Sequence, residues 1–497
     1  MLSALSALSA VNWLSIYSLL SLCVHILGIA NAAHAVMKVR SSRGAIAWSL
    51  SLVTMPWIAI PLYWILGKDK FQGYAEAIHE SYLEHRERAN DAYAEIMKYK
   101  VNLSGEYATL GKLASAFESF PFTANNDTQL LIDGEQTFAE MLAAIASAKH
   151  YILLQSYIIH SDEIGNRFKD ALIAKARSGV SVYLLYDGLG SRKLPKQYLN
   201  DLRQSGVTIG SFHSSEGGKS RFQINFRNHR KILVVDGQTA FMGGLNIGDE
   251  YLGKDPKLGS WRDTHVRFRG TAVKCLQGVL LRDWYWATRE MPEVSWEIHS
   301  DPQCCQTAFI LSTGPADRLE ECMLFFLNLI NHAQKRLWIA SPYFVPDDST
   351  LNALKLAALR GVDVRIILPN KADHLSVYFC AFSFYAELQQ VGIQLYRYKS
   401  GFMHQKVILC DEAIAGVGTI NLDNRSFYLN FEVMSFVINR ADDRGAIAPE
   451  SNFIKSVEQM LLNDLDASRL VDYSKYKQKP FWFKLAARVS RLMAPVL

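Results

Sequence analysis

Two hydrophobic periodicities take turns along most of this chain. Compact apolar runs such as HYILLQSYI, SVYLLYD, RLWIASPYF and DVRIILP read as buried strands. Between them, GNRFKDALIAKARSGV and TLNALKLAALRGV place apolar residues every third or fourth position, as amphipathic helices do. The order is written twice. From about residue 130 it runs strand, helix, strand, helix (YLNDLRQSGV) and strand (TIGSF); from about residue 325 it recurs, with FYAELQQVGI as second helix and QLYRY as third strand. The repeat extends to the helix ends, at Gly179-Val180 and Gly361-Val362, then at Gly206-Val207 and Gly392-Ile393. Alternating strands and helices predict an α/β domain in each half, the two related by pseudo-twofold symmetry.

The first 70 residues follow another pattern. Residues 11–36 and 45–66 contain no Asp, Glu, Lys or Arg, and each run reaches the roughly 20 residues that cross a bilayer as a helix. An N-terminal transmembrane helical hairpin is expected, with Trp13, Trp48, Trp57 and Trp64 as interfacial anchors and a kink at Pro56 or Pro61. No Lys or Arg precedes the first run, as a secretion signal would require. Lys38, Arg40 and Arg43 in the short loop oppose Lys68, Lys70, Arg86 and Arg88 in setting orientation. The expected domains are a membrane hairpin at 1–70, a charged helical linker at 71–110, α/β domains at 111–298 and 299–465, and a basic amphipathic tail at 466–497. In that tail Trp482, Leu485, Ala486, Val489, Leu492, Met493 and Val496 form an apolar stripe, and Lys484, Arg488 and Arg491 a basic one. Such a helix either lies in an anionic leaflet or packs on the domain.

Composition refines this picture slightly. The 497 residues are 49% hydrophobic with a formal charge of +5, which suits an anionic partner. Seven cysteines without a CxxC pair point to free thiols, hence to catalytic domains on the cytoplasmic side.

Two strands carry the chemistry. HRKILVVD starts at His229 and HQKVILCD at His404, so each puts an imidazole and an ammonium on one strand face. Each continues through a tight turn, Asp236-Gly237 or Asp411-Glu412, into a strand ending at Asn246 or Asn421, 17 residues after its histidine. Two such hairpins brought together give two imidazoles, two ammonium groups and two amides around one pocket. Lysines repel cations and no carboxylates converge, so the set suits a phosphodiester, with no metal and no cofactor. Lys231, Lys406, Asn246 and Asn421 can hold phosphate oxygens, while one histidine attacks phosphorus and the other protonates the leaving alcohol. Strand parity turns Asp236 and Asp411 away from the pocket, as supports of the turn. Asp263 and Glu432, each a short way downstream of its own hairpin, are the candidates for orienting the imidazoles.

His229-Lys231-Asp236 and His404-Lys406-Asp411 match the HxKxxxxD signature, and the sequence resembles the phospholipase D superfamily there and in GGLN and GTIN. More narrowly, SPYFVPDD, RGVDVRIILP, GTINLDNRSFYLNFE and AWSLSLVTMPWIAIPLYWILGK resemble the bacterial cardiolipin synthases over nearly the whole chain. The resemblance implies a multi-pass enzyme of the bacterial inner membrane. It implies transfer of a phosphatidyl group between two phosphatidylglycerol molecules, through a phospho-histidine and with release of glycerol. It also implies His229 as nucleophile and His404 as acid, a choice that the matching motifs themselves leave open. The chemistry equally allows a hydrolase acting on phospholipid or, less readily, nucleic acid. The apolar hairpin favours lipid over nucleic acid, and no aromatic-basic track for a nucleic-acid strand is present. Tyr157 and Ser341–Tyr343 are placed to line the pocket, Lys219 and Arg221 to guide headgroups, and His213, His265 and His374 to serve structure or surface.

Overall fold

In the computed structural model, residues 2–67, 70–117, 119–212, 223, 225–299, 305–439 and 452–497 are described; Lys68, His213, Lys219, Arg221 and Cys304 lie outside them. The chain divides into two units, residues 1–72 with 217–226, and residues 73–216 with 227–497.

In the smaller unit a single helix, Leu2–Lys38, carries the first apolar run, and its Ser15–Lys38 stretch is long and apolar enough to cross a membrane. The second run is not one helix. It breaks into Ser42–Thr54 and Pro56–Leu66, because Pro56 lacks an N–H and forces Met55 out of helical geometry, to φ −135° and ψ 54°. Among the described residues only the first run therefore spans by length. The two runs still pack together. A Cβ on Gly28 would stand 2.4 Å from the Leu52 carbonyl oxygen, so only glycine permits that crossing. His34 Nδ1 meets the Tyr63 hydroxyl at 2.7 Å, and Trp64 Nε1 donates to Asn31 Oδ1 at 3.0 Å.

The larger unit is built on one continuous sheet. Its strand order reads Ser468–Leu470, Gln394–Tyr398, Asp363–Pro369, Arg336–Ala340, Val407–Cys410, Ile414–Gly418, Asn430–Ile438 and Gln306–Thr313. It then continues through Thr123–Ile132, Thr264–Gly270, Thr239–Gly243, Ile232–Val235, Tyr151–Ser156, Ser181–Tyr186 and Thr208–Ser211. The first listing run backwards has the connectivity of the second, apart from its terminal strand. The two α/β halves thus share a sheet, and the pseudo-twofold passes between the antiparallel strands Gln306–Thr313 and Thr123–Ile132.

Three buried clusters cover the sheet. One contains Val234, Val266 and Trp284 from the first half together with Ile310, Val433 and Val457 from the second, so the halves share a core. The helices Thr271–Thr288 and Asn452–Asp466 close that face. On the other face each half has its own cluster, around Phe168 and Leu199 or around Phe325 and Leu354. The helix Ala108–Ala116 contributes Leu110 and Ala114 to the second half's cluster although it precedes the first half in sequence. The charged linker is two helices, Tyr74–Glu84 and Arg86–Met97, broken at His85.

The tail helix Phe481–Leu492 packs on the domain along one side and leaves another side uncovered. Phe483 and Ala487 are buried, with the Phe483 ring 5.2 Å from Phe379 and 5.1 Å from Phe382, while the apolar side chains on another arc stay exposed. Arg491 leaves the expected basic stripe, since its Nη1 donates to Glu387 at 2.7 Å.

Candidate active site

Each motif starts where a strand of one half crosses to the other. Arg227–Asn228 pairs in parallel with Asn430–Phe431, and the His229 amide donates to the Phe431 carbonyl at 2.9 Å. In the same way Phe402–Met403 pairs in parallel with Trp261–Arg262, and the His404 amide donates to Arg262 O at 2.8 Å. These exchanges carry each histidine to the carboxylate of the opposite half. His229 Nδ1 lies 2.9 Å from Glu432 Oε2 and 3.1 Å from Oε1, and His404 Nδ1 lies 2.9 Å from Asp263 Oδ2. The carboxylates that meet the imidazoles are the two named from sequence, but each contacts the other half's histidine. Both are fully buried, and Glu432 is held further by Ser426 Oγ at 2.9 Å and Asn430 Nδ2 at 3.1 Å. With Nδ1 fixed in this way, Nε2 is the atom left for chemistry.

The lysines follow their histidines. Lys231 Nζ donates to the His229 carbonyl at 2.6 Å and stands 5.4 Å from the Tyr157 ring. Lys406 Nζ also donates to its histidine's carbonyl, and it lies 2.9 and 3.1 Å from the two ring nitrogens of His404. His229 and Lys231 feel Lys406 across the halves, and Lys406 feels Asp263 of the first half. Burial lowers Lys231 to about 7, helped by Lys406 and opposed by Glu432 and Asp263; it lowers Lys406 to about 8 against the same two carboxylates. Burial, then Lys406, brings His404 down to about 4, outweighing its bond to Asp263. His229 falls below its usual value for the same first reason, despite Glu432, and it too feels Lys406. The carboxylates go the other way. Burial alone would raise Asp263 and Glu432, but Lys406 and His404 hold the first below its ordinary value, and His229 and Lys231 the second. The result is a buried cluster of anionic carboxylates behind neutral imidazoles, with lysines near their titration points. A phosphodiester entering it brings the negative charge that raises all four basic groups.

Asp236 and Asp411 sit at the turns, both with φ 53°. Asp236 accepts from the amides of Lys149, His150 and Tyr151, each at 2.8 Å, and Asp411 from those of Gln334, Lys335 and Arg336, the last two at 2.8 and 2.9 Å. They hold the hairpin ends to the neighbouring strand and do not approach the imidazoles. The asparagines diverge. Asn246 is engaged by the fold, donating Nδ2 to the Tyr251 hydroxyl at 2.7 Å and accepting from Ile158 N at 3.1 Å. Asn421 Oδ1 makes no hydrogen bond, so this buried amide is less committed to the fold. Tyr157 meets the His229 ring edge-on at 5.1 Å, and Tyr343 meets His404 at 6.4 Å with its hydroxyl bonded to Asp373. His265 is buried beside Leu245 N, 3.4 Å away, and His374 is exposed.

Sequence reasoning missed four contributors. Asp283 and Asp464, from the two helices behind the sheet, bind the residue between His and Lys. Arg230 Nη1 donates to Asp283 Oδ1 at 2.7 Å and Gln405 Nε2 to Asp464 Oδ2 at 2.6 Å. Arg227 and Arg425 lie beside Tyr157, which otherwise feels burial first and then Asp187. A polar residue between His and Lys in each motif, Arg230 or Gln405, and a DNR triplet shortly after GTIN were the available signals.

A duplicated α/β sheet that presents paired His-x-Lys strands at one centre, backed by crossed carboxylates, defines a phosphoryl-transferring enzyme of the phospholipase D type. A family model described as "Cardiolipin synthase, PLD-like domain" matches residues 141–257 and 326–454. Proteins named cardiolipin synthase A from Pseudomonas entomophila and Pseudomonas fluorescens are 43% and 42% identical, in each case over 95% of this chain and 97% of theirs. Among solved structures, a phosphatidylserine synthase of Haemophilus influenzae shares the fold with a TM-score of 0.55 at 14% identity, covering 78% of this chain and 99% of that one. The chain belongs to the cardiolipin synthase family.

Proposed function

We propose that this enzyme moves a phosphatidyl group from one phosphatidylglycerol to the glycerol hydroxyl of another, releasing glycerol and giving cardiolipin. The observation that supports the mechanism is the crossed pair of contacts, His229 to Glu432 and His404 to Asp263, which engages each imidazole through Nδ1 and leaves Nε2 for the phosphorus.

We assign the nucleophile to His229, as the family likeness implies. Its Nε2 attacks the donor phosphorus, a P–N bond forms, and the P–O bond to glycerol breaks. Lys231 and Lys406 take up the charge on the non-bridging oxygens, with Asn421 beside them. The substrate anion raises His404 from about 4, so that its imidazolium gives a proton to the leaving glycerol. In the second step the acceptor's hydroxyl loses its proton to the now neutral His404 while its oxygen displaces His229 from phosphorus. Glu432 and Asp263 keep each ring in one tautomer throughout. Arg227 and Arg425 add positive charge at the margin and favour an anionic headgroup.

The enzyme is membrane-associated, and the anionic lipid is both substrate and surroundings. We place it in the bacterial inner membrane with the two α/β halves in the cytoplasm, where its thiols stay reduced. The test is to supply phosphatidylglycerol vesicles and identify the products. Cardiolipin and glycerol in equal amounts are expected; phosphatidic acid as the main product would make the enzyme a hydrolase instead.

A further inference from the structure

The helix Phe481–Leu492 presents two faces that do different things. At about 100° per residue, Phe483 and Ala487 project to the side packed on the helix Leu375–Phe382. Arg491 extends that side by its bond to Glu387 at 2.7 Å. Phe481, Trp482, Leu485, Val489 and Leu492 occupy the opposite arc and are 78%, 62%, 49%, 52% and 80% exposed. A soluble surface scatters such residues singly; five on one arc form a patch that needs a partner.

The surrounding charge says which partner. From Tyr473 to the last residue there is no Asp or Glu, while Lys475, Lys477, Lys479 and Arg488 are exposed around the patch. Apolar side chains in a segment whose only charges are cations, with Trp482 and Phe481 at one end, match the interface of an anionic leaflet, where rings reach acyl chains and ammonium groups stay among phosphates. The chain beyond this helix reaches an element that supports the reaction centre. Asn424 Nδ2 donates to Ala494 O at 3.0 Å, and Arg425 Nη1 donates to Val496 O at 3.3 Å. Both belong to the short helix Asn424–Tyr428, whose Ser426 holds Glu432.

We propose that the helix Phe481–Leu492 is an interfacial docking element, whose exposed apolar arc enters an anionic lipid leaflet and seats the catalytic half that carries it on the lipid surface. The docking is separate from the apolar N-terminal helix. It presents the centre to lipids that stay in the bilayer, and it rests on the lipid-substrate reading only through the choice of assay.

The test compares two forms of one substrate in the full-length enzyme. Phosphatidylglycerol in vesicles requires docking, whereas short-chain phosphatidylglycerol below its micelle concentration does not. Leu485→Ser with Val489→Ser should lower turnover on vesicles about tenfold or more, the loss expected for two apolar side chains withdrawn from the interface, while the ratio of monomeric to vesicle activity rises by the same factor. Lys477→Glu with Arg488→Glu should weaken activity on vesicles rich in anionic lipid and remove much of its salt sensitivity. An equal fall on both substrates would overturn the proposal by showing that the helix only supports the fold. Unchanged vesicle activity, or conversion of a dimer to monomers by the serine pair, would overturn it in favour of a protein-covered face. If the unaltered enzyme turned over neither substrate, the lipid-transfer reading would fail and not the docking surface.

Discussion

On the proposed mechanism, Lys231 and Lys406 set the pH range in which the centre holds a phosphate. Both must be protonated to bind it, and burial has lowered them to about 7 and about 8. Raising pH through this window removes the charge the substrate needs, so kcat/KM for phosphatidylglycerol should decline from about pH 7 upward. On the acid side His229 must stay neutral, and its lowered pKa keeps it so below the usual histidine range. The pH profile of kcat/KM checks this; a plateau persisting to pH 9 would contradict it. Glu432→Gln and Asp263→Asn should each reduce kcat by about a hundred- to ten-thousandfold with little change in KM, because an amide neither fixes the tautomer nor stabilises imidazolium. Steady-state kinetics beside an unaltered circular dichroism spectrum would establish that. At this scale spacing put forward His229, Lys231, His404, Lys406 and both carboxylates, and the structure sets each histidine against one of those carboxylates. The sequence could not show that Glu432 serves His229 and Asp263 serves His404. That exchange depends on the parallel pairing of Arg227–Asn228 with Asn430–Phe431, a long-range contact with no local signature.

Among the elements, the two helices behind the sheet act on the motifs through buried carboxylates. Asp283 accepts from Arg230 and Tyr74 at 2.7 Å and from Asn228 at 2.8 Å, with Gln155 at 2.7 Å, all of it buried. Removing the carboxylate leaves the Arg230 guanidinium uncompensated, so Asp283→Ala should destabilise the fold by about 3–5 kcal/mol. Chemical denaturation measures this, and a change below about 1 kcal/mol would mean the network is dispensable. The strand and helix alternation was legible because buried parallel strands read as unbroken apolar runs. The strands Thr123–Ile132 and Gln306–Thr313 at the pseudo-twofold were not, since TANNDTQLLI is polar for half its length. Nor was the break at Met55 placed in advance, although Pro56 and Pro61 signalled it.

For the molecule as a whole, the crossed carboxylates make the centre a property of both halves together. Neither residues 111–298 nor residues 299–465 alone hold an imidazole with its orienting partner, so either half expressed separately should lack turnover. Their shared core would also be exposed, and poor solubility of the isolated halves is expected. With two ammonium groups at the phosphate cradle in place of a cation, chelation by EDTA should leave cardiolipin formation nearly intact, as an assay before and after dialysis against the chelator would show. The most direct test is to quench the full-length enzyme in alkali during turnover of phosphatidylglycerol and map the adduct by peptide mass spectrometry. A phosphorus-linked adduct on the peptide containing His229, absent in His229→Ala together with all turnover, is the predicted result. An adduct on a residue outside the two motifs, or turnover retained in His229→Ala, would contradict the shared centre.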